Sequence, residues 1–310
     1  VTSVKGEAVY VEIRIHGELE DLWRLTQTPA FHERWDLRFS EIQYLPRPDA
    51  AQPQRFIYAT RIGWGMRIVG GGESVGENHG SAGRTSALKF WSTDPRSLIR
   101  EGSGYWKYVP TDDGIRFLTR YDYHSRLGIA GAAIDRFVFR PLMGWATAWS
   151  FDRLRLWIER GVDPAVSMQR SLVQAVARTS LAMIWIYQGL IPKLLFRQSS
   201  GELDTLRASG LTAGLADQAL MFVACIEIIF GASLLLLWHV RSLFLINVAA
   251  LVVLGVAAFI SQPRLFIGQF NPATLNLAMV ALGIVGWLAA HDLPTARNCL
   301  RREPKRPTNK

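Results

Sequence analysis

Residues 219–260 read ALMFVACIEIIFGASLLLLWHVRSLFLINVAALVVLGVAAFI, and this stretch decides the architecture of the C-terminal half. Ala219–Trp238 is 20 residues with one charge, Glu227, and Ser242–Ile260 is 19 residues with none. Each run is long enough to cross a hydrocarbon core of about 30 Å at about 1.5 Å per residue. Only His239-Val240-Arg241 separates them, which predicts a tight antiparallel hairpin. Working outward, Ala273–Ala290 is a third uncharged run, of 18 residues. Leu172–Leu195 is a fourth, more polar candidate, with Arg178 near its start and Lys193 near its end, where long side chains snorkel. The expectation is four transmembrane helices over about 172–195, 217–239, 242–260 and 273–290.

Charge sets the expected orientation. The chain of 310 residues carries a net charge of +9, unevenly placed. Residues 1–165 hold 22 Lys/Arg against 20 Asp/Glu, whereas residues 166–310 hold 13 against 6. The surplus lies beside apolar segments, which points to a membrane surface and away from nucleic acid. With the N-terminal half inside, the inner flanks carry eleven Lys/Arg and the outer loops four. This predicts a multi-pass inner-membrane protein with both termini cytoplasmic. Val1–His16 has no apolar signal region, and 297–310 is expected as a basic tail. The tail is expected to hold the inner leaflet. Cys225 and Cys299 are too few for a disulfide framework or a cysteine-ligated zinc; one is expected buried in the apolar run and the other free in the tail.

The first 165 residues read as soluble. Val9, Val11, Ile13 and Ile15 alternate with Tyr10, Glu12, Arg14 and His16, a strand of period two. Two short helices, Glu20–Thr26 and one from Thr28-Pro29 through Trp35, precede about six further strands, with Asp112-Asp113-Gly114 as a hairpin turn. Ala132–Arg160 is helical, with Ile134, Phe137, Val138, Leu142, Trp145 and Trp149 three or four apart and a kink or break expected at Pro141.

Val9–Leu45, with VYVEIRI, ELEDLWRLTQTP and HERWD, resembles the opening of the START-like superfamily, the polyketide cyclase/dehydrase and lipid-transport group. That resemblance implies an α+β helix-grip fold over 1–165, a sheet around a long helix with a cavity for an apolar ligand. MIWIYQGLIPKLLF (183–196), ACIEIIFG (224–231) and FNPATLNLAM (270–279) are similar to the DoxX-like family, implying an all-α four-helix transmembrane bundle within 166–296. Some members of that family are linked to quinone or sulfur redox systems, which makes a quinone the candidate cofactor; no cofactor motif is evident.

Chemistry-bearing residues are few. Glu227 sits mid-span, where an ionised carboxylate costs about 2.5 kcal/mol or more, so it should face the bundle interior. Gln188 and Asn276 share a level roughly 6–9 Å above it, with Lys193 and Asn271 higher still at the outer surface, a candidate polar path, while Asn247 falls apart from it. In the soluble half Tyr58, Trp64, Met66, Trp91, Trp106, Tyr121, Tyr123, Trp145 and Trp149 are candidates to line a pocket, or simply to fill the core. Glu227, Asp122 and His124 are the candidates for acid–base chemistry, the last two at the mouth of that pocket. No histidine pattern suits a metal, and Val69-Gly70-Gly71-Gly72 lacks the helix and lysine of a phosphate loop. The reading is a membrane-anchored domain that binds a hydrophobic or aromatic small molecule or lipid. The alternatives are an enzyme or subunit of a membrane oxidoreductase or quinone-linked system, a cyclase/dehydrase, and a scaffold for a membrane-protein partner.

Overall fold

The computed structural model describes residues 7–49, 51–63, 65–80, 83–126, 128–199, 201–208, 210–269 and 271–304. They form two compact units. The first runs through Ser167 and resumes at Asp292; the second is Met168–His291.

The first unit contains β1 (Val9–Ile15), α1 (Leu19–Gln27), α2 (Pro29–Trp35), β2 (Glu41–Tyr44), β3 (Arg55–Ile62), β4 (Met66–Gly80), β5 (Gly83–Trp91), β6 (Ile99–Thr111), β7 (Gly114–Ser125), α3 (Gly128–Ile134) and α4 (Arg140–Arg160). The strands make one antiparallel sheet in the order β1-β7-β6-β5-β4-β3-β2. Alternation sets its two faces. Val11, Ile13 and Ile15 pair with Thr119, Phe117 and Ile115, and all six are buried on the face that meets α4. Phe117 stacks on Phe151 of α4 at 4.4 Å between centroids. Burying one such side chain contributes about 1.5–3 kcal/mol, more than an exposed ion pair such as Arg14–Asp113 supplies. Gly114, at φ 133°, makes the expected hairpin turn into β7.

The expected break near Pro141 takes the form of a π turn over Asp135–Phe139. The N–H of Arg140 donates to the carbonyl of Asp135, and Pro141 follows within the first turn of α4. The widened turn accommodates a residue that lacks an N–H and crowds the preceding turn. The left-handed Gly161 ends α4.

The segment from Asp292 returns to this unit. Leu300 bridges to Glu12 on the edge strand β1. Asp152 of α4, fully buried, accepts from the Thr295 N–H at 2.8 Å and from the Asn298 amide at 3.0 Å. The expected basic tail is therefore docked through Leu300. The cysteines also reverse their expected settings: Cys299 is buried against Ala148, and Cys225 is exposed on its helix.

The second unit holds the rest of α5 (Pro164–Gln188), a π turn over Gly189–Leu195, α6 (Glu202–Ala208), α7 (Ala213–Leu236), α8 (Ser242–Ser261) and α9 (Pro272–Ala289). Among the described residues, three helices are long and apolar enough to cross a membrane: α7, α8 and α9. α5 is helical where a fourth span was expected but is more polar. α6 occupies part of the segment 196–216, which reads from sequence as an outer loop. Pro272 sits in the first turn of α9 as expected, with Asn271 as its cap. Close packing relies on small residues: a Cβ on Gly286 would fall 2.4 Å from the Phe244 ring.

Candidate functional site

Two places gather the residues singled out from sequence. The first is the inner face of the sheet, toward α4. Three strand glycines lie there beneath aromatic rings, and a fourth, Gly104, lies against the Tyr121 Cβ. A Cβ on Gly70 would meet the Tyr58 ring at 2.3 Å, on Gly72 the Phe56 ring at 2.3 Å, on Gly102 the Phe90 ring at 2.5 Å and on Gly104 the Tyr121 side chain at 2.4 Å. Absent side chains let the rings lie flat across the backbone. This is the structural use of the Gly70-Gly71-Gly72 run. Phe56, Tyr58 and Phe90 are half-buried, whereas Trp35, Phe117 and Phe151 at the other end of the grip are fully buried. Burial pushes the Tyr58 hydroxyl up to about 12.

A charged cluster borders this floor. Arg38 donates to both oxygens of buried Asp36, at 2.9 and 2.6 Å, and the His32 ring lies 3.0 Å from the same carboxylate. Burial pushes the Asp36 carboxyl upward, but the Arg38 charge and the hydrogen bonds from His32 and Arg38 outweigh it and hold the group below the usual carboxylate range. The Arg38 guanidinium lies over the Phe39 and Tyr121 rings, 5.5 Å from each. From sequence, His32–Asp36 reads as a solvated helix face; the structure instead buries Trp35 and Asp36. The signal for Asp36 was a carboxylate two residues before an arginine at the end of an aromatic helix.

The predicted pocket residues divide. Tyr58, Trp106, Tyr121, Tyr123 and Trp149 lie on the inner side of the grip, and Trp106 packs into the closed core with Trp35 and Phe117. Met66 is exposed beside the β3–β4 turn, and Trp64 lies outside the described residues. Trp145 stacks with Trp149 but is 43% exposed. Trp91 is on the opposite face: its indole covers Gly71, and the inward residue of that pair is Phe90. It belongs to a shallow cleft of about 610 Å³ with Ile57, Val69, Arg55 and Arg96. Asp122 and His124 also alternate away from the inner face. Asp122 accepts from Arg140 at 2.9 Å, and His124 is exposed.

The second place is in the helical unit. Lys193, in the π turn over Gly189–Leu195, is buried with its ammonium 3.0 Å from Glu227 of α7 and 3.2 Å from Glu202 of α6. Pro192 breaks the regular hydrogen bonding and Gly189 permits the approach; a Cβ there would lie 2.6 Å from the Ala224 carbonyl. Of the five residues in the candidate polar path, Lys193 and Glu227 are in direct contact. Gln188 adds its carbonyl, 3.4 Å from the Lys193 ammonium. Asn271 instead caps α9, accepting from Thr274, and Asn276 lies against Gly255 of α8. Asn247 stands apart, as expected, accepting from the Trp185 indole and donating to the Met279 carbonyl.

Sequence reasoning missed two members of this unit. Glu202 looked like a loop residue. Arg178 was expected to snorkel but is fully buried, donating to the carbonyls of Leu234, Leu237 and Val240. The hairpin after α7 leaves helix-end carbonyls unpaired inside the unit, and a cation satisfies them. Among the described residues no three His, Cys, Asp or Glu side chains gather as a metal-binding set.

The DoxX-like family matches residues 182–284. The "Uncharacterized membrane protein YndG" of Bacillus subtilis (strain 168) is 45% identical over 188 residues, covering 60% of this chain and 70% of the relative. Solved structures similar to the N-terminal half include the di-domain ARO/CYC StfQ from the steffimycin biosynthetic pathway, at 17% identity and a TM-score of 0.37, covering 50% of this chain and 52% of that one. A STAR-related lipid transfer protein fragment from Xanthomonas axonopodis has 17% identity and a TM-score of 0.35 over 48% of this chain and 84% of that one. By its identity to YndG across seven-tenths of that protein, the chain belongs to the same family of membrane proteins and carries a DoxX-like domain in its C-terminal half.

Proposed function

We propose that the chain is a membrane-anchored binding protein. The first unit is a START-like grip for an apolar or aromatic small molecule or lipid, and the DoxX-like unit holds it at the bilayer. One observation carries this reading: the row of half-buried rings lying on strand glycines on the sheet's inner face. An accessible aromatic floor on the concave side of a sheet suits a planar or hydrocarbon ligand, which would cover what water otherwise wets.

The test uses the full chain purified in mild detergent, with retained small molecules identified by mass spectrometry. An aromatic molecule or lipid should be retained by the unaltered protein and reduced about tenfold in Phe90→Ala, given about 1.4 kcal/mol of lost contact. Retention unaffected by Phe90→Ala and Tyr58→Ala sinks the reading.

Four spans and cytoplasmic ends in an inner membrane belong to the same proposal. Residues 292–300 pack in one unit with β1 and α4, so the path leaves and returns on one side. Three spanning helices need a fourth to meet that condition, and α5 is available. The Lys/Arg bias supports both ends lying inside.

The Lys193–Glu227 contact favours a second reading, in which the helical unit serves a redox system. An ammonium beside a carboxylate fits a carbonyl oxygen of a lipophilic quinone, which Lys193 would hold. A quinone retained by the unaltered chain and lost in Glu227→Gln, with no change in Phe90→Ala, would favour it.

A further inference from the structure

The apolar stripe that opens the long helical segment does not face the sheet. Ile134, Phe137, Val138, Leu142 and Trp145 recur at helical spacing, and all five are exposed, Phe137 to 74%. Trp149, one turn further, is 8% exposed and belongs to the interior. The π turn explains the division. Asp135 and Phe139 point inward, Asp135 accepting from the Tyr123 hydroxyl at 2.6 Å and from Arg140 at 2.9 Å, and Phe139 meeting the Tyr123 ring. Phe137 and Val138 between them are turned out.

The segment that carries this ridge is itself basic, although Arg140 is paired with Asp135 and Asp122 and lies against Glu7. Residues 126–148 contain Arg126, Arg136 and Arg140, against Asp135 alone. Both Asp135 oxygens are occupied inside the unit, so the exposed surface of this stretch presents no carboxylate. The Arg136 guanidinium lies 5.6 Å from the centre of the exposed Phe137 ring. Apolar rings with an arginine above them and a tryptophan alongside are the composition of an interfacial helix. The chain is a membrane protein, so a bilayer is a surface present in its setting.

We propose that the ridge Ile134–Phe137–Val138–Leu142–Trp145 docks on an anionic lipid surface, its side chains entering the headgroup–acyl boundary and Arg136 pairing with lipid phosphate. The apolar face supplies the affinity, and Arg136 beside the Phe137 ring selects anionic headgroups. This contact is separate from the ligand reading of the grip and stands or falls without it.

The experiment uses the full chain with Cys225→Ser, reconstituted in phosphatidylcholine vesicles with or without phosphatidylglycerol. An environment-sensitive fluorophore is attached at Phe137→Cys, at Leu142→Cys, or at Lys107→Cys on the other face of the sheet. Brominated lipid should quench the labels at 137 and 142 roughly threefold or more beyond the label at 107, and iodide in the water should quench them less. Omitting phosphatidylglycerol, or adding Arg136→Glu, should lower the lipid quenching. The proposal is overturned by iodide quenching equal to that at 107. It is equally overturned if the labels are shielded from iodide without being quenched by lipid, which would mean that protein, such as a second copy, covers the ridge. Two label sites guard against one damaging the fold, and near-ultraviolet circular dichroism checks each variant.

Discussion

Leu300 and Glu12, 288 positions apart, exchange both backbone hydrogen bonds: each N–H donates to the other's carbonyl at 2.9 Å. The contact satisfies the exposed edge of β1, a position that otherwise invites pairing with another chain. It also fixes a topological condition, because everything between β1's unit and Asp292 must leave and come back.

That condition predicts sidedness. In a Cys225→Ser chain, Arg241→Cys in the α7–α8 hairpin should react with an impermeant maleimide from the side that carries the N-terminal unit. Asp204→Cys in α6 should react only from the opposite side. Both positions are exposed. Labelling of the two from one side would mean that α7 does not cross, and the four-span arrangement would fail.

Asp36 predicts an acid-sensitive unit. Its carboxylate is held below the usual range by Arg38 and His32 against the cost of burial, and Arg153 also faces it. A depressed carboxyl contributes stability that is present above its unfolded value of about 3.9 and is lost as pH falls through the folded value. The thermal midpoint of this unit should therefore drop as pH is lowered below about 4. Asp36→Asn leaves buried Arg38 without its anion and should cost about 3–5 kcal/mol near neutrality, with a flatter acid profile. An unchanged profile would assign the acid sensitivity to other carboxylates.

The strand glycines predict different outcomes at two positions, one on β6 and one on β4. A Cβ on Gly102 would lie 2.5 Å from the Phe90 ring and 2.6 Å from the backbone oxygen of Asp122, which cannot move aside. Gly102→Ala should destabilise by about 1–3 kcal/mol. Gly76, at the β4 bulge, has nothing within 4 Å of a Cβ, and Gly76→Ala should change the midpoint by about 0.5 kcal/mol or less. Thermal unfolding of the full chain in detergent reads both.

The strands, the hairpin turns and the apolar helices were legible because periodicity and turn chemistry are local. What escaped depended on which face a pattern presents. The stripe from Ile134 to Trp145 has core-like spacing, yet a π turn directs it outward. Trp91 and Phe90 are adjacent aromatics on opposite faces, and only the register of β5 against β4 and β6 decides between them. Arg178 and Lys193 sit near the ends of an apolar run, where snorkelling is the default. Their burial follows from carbonyls and carboxylates on other helices. Glu227 was legible because a mid-span carboxylate demands a partner. Lys193 is a candidate on the same polar path, but its sequence position places it at the outer surface, well above the level at which the two meet.

The Lys193–Glu227 contact predicts an asymmetric response. Lys193→Met leaves Glu227 buried with no cation and should cost about 3–5 kcal/mol. Glu227→Gln should cost less, about 1–3 kcal/mol, because Lys193 retains Glu202 at 3.2 Å. Combining Lys193→Met with Glu227→Leu removes both charges and should recover stability relative to Lys193→Met alone, since an apolar pair of similar volume avoids desolvating two ions. Midpoints in detergent would establish the order. If all three variants are equally destabilised, the loss comes from repacking the π turn around Pro192 and Gly189. If Lys193→Met is neutral, Glu227 does not depend on that ammonium, and α6 is held by other contacts.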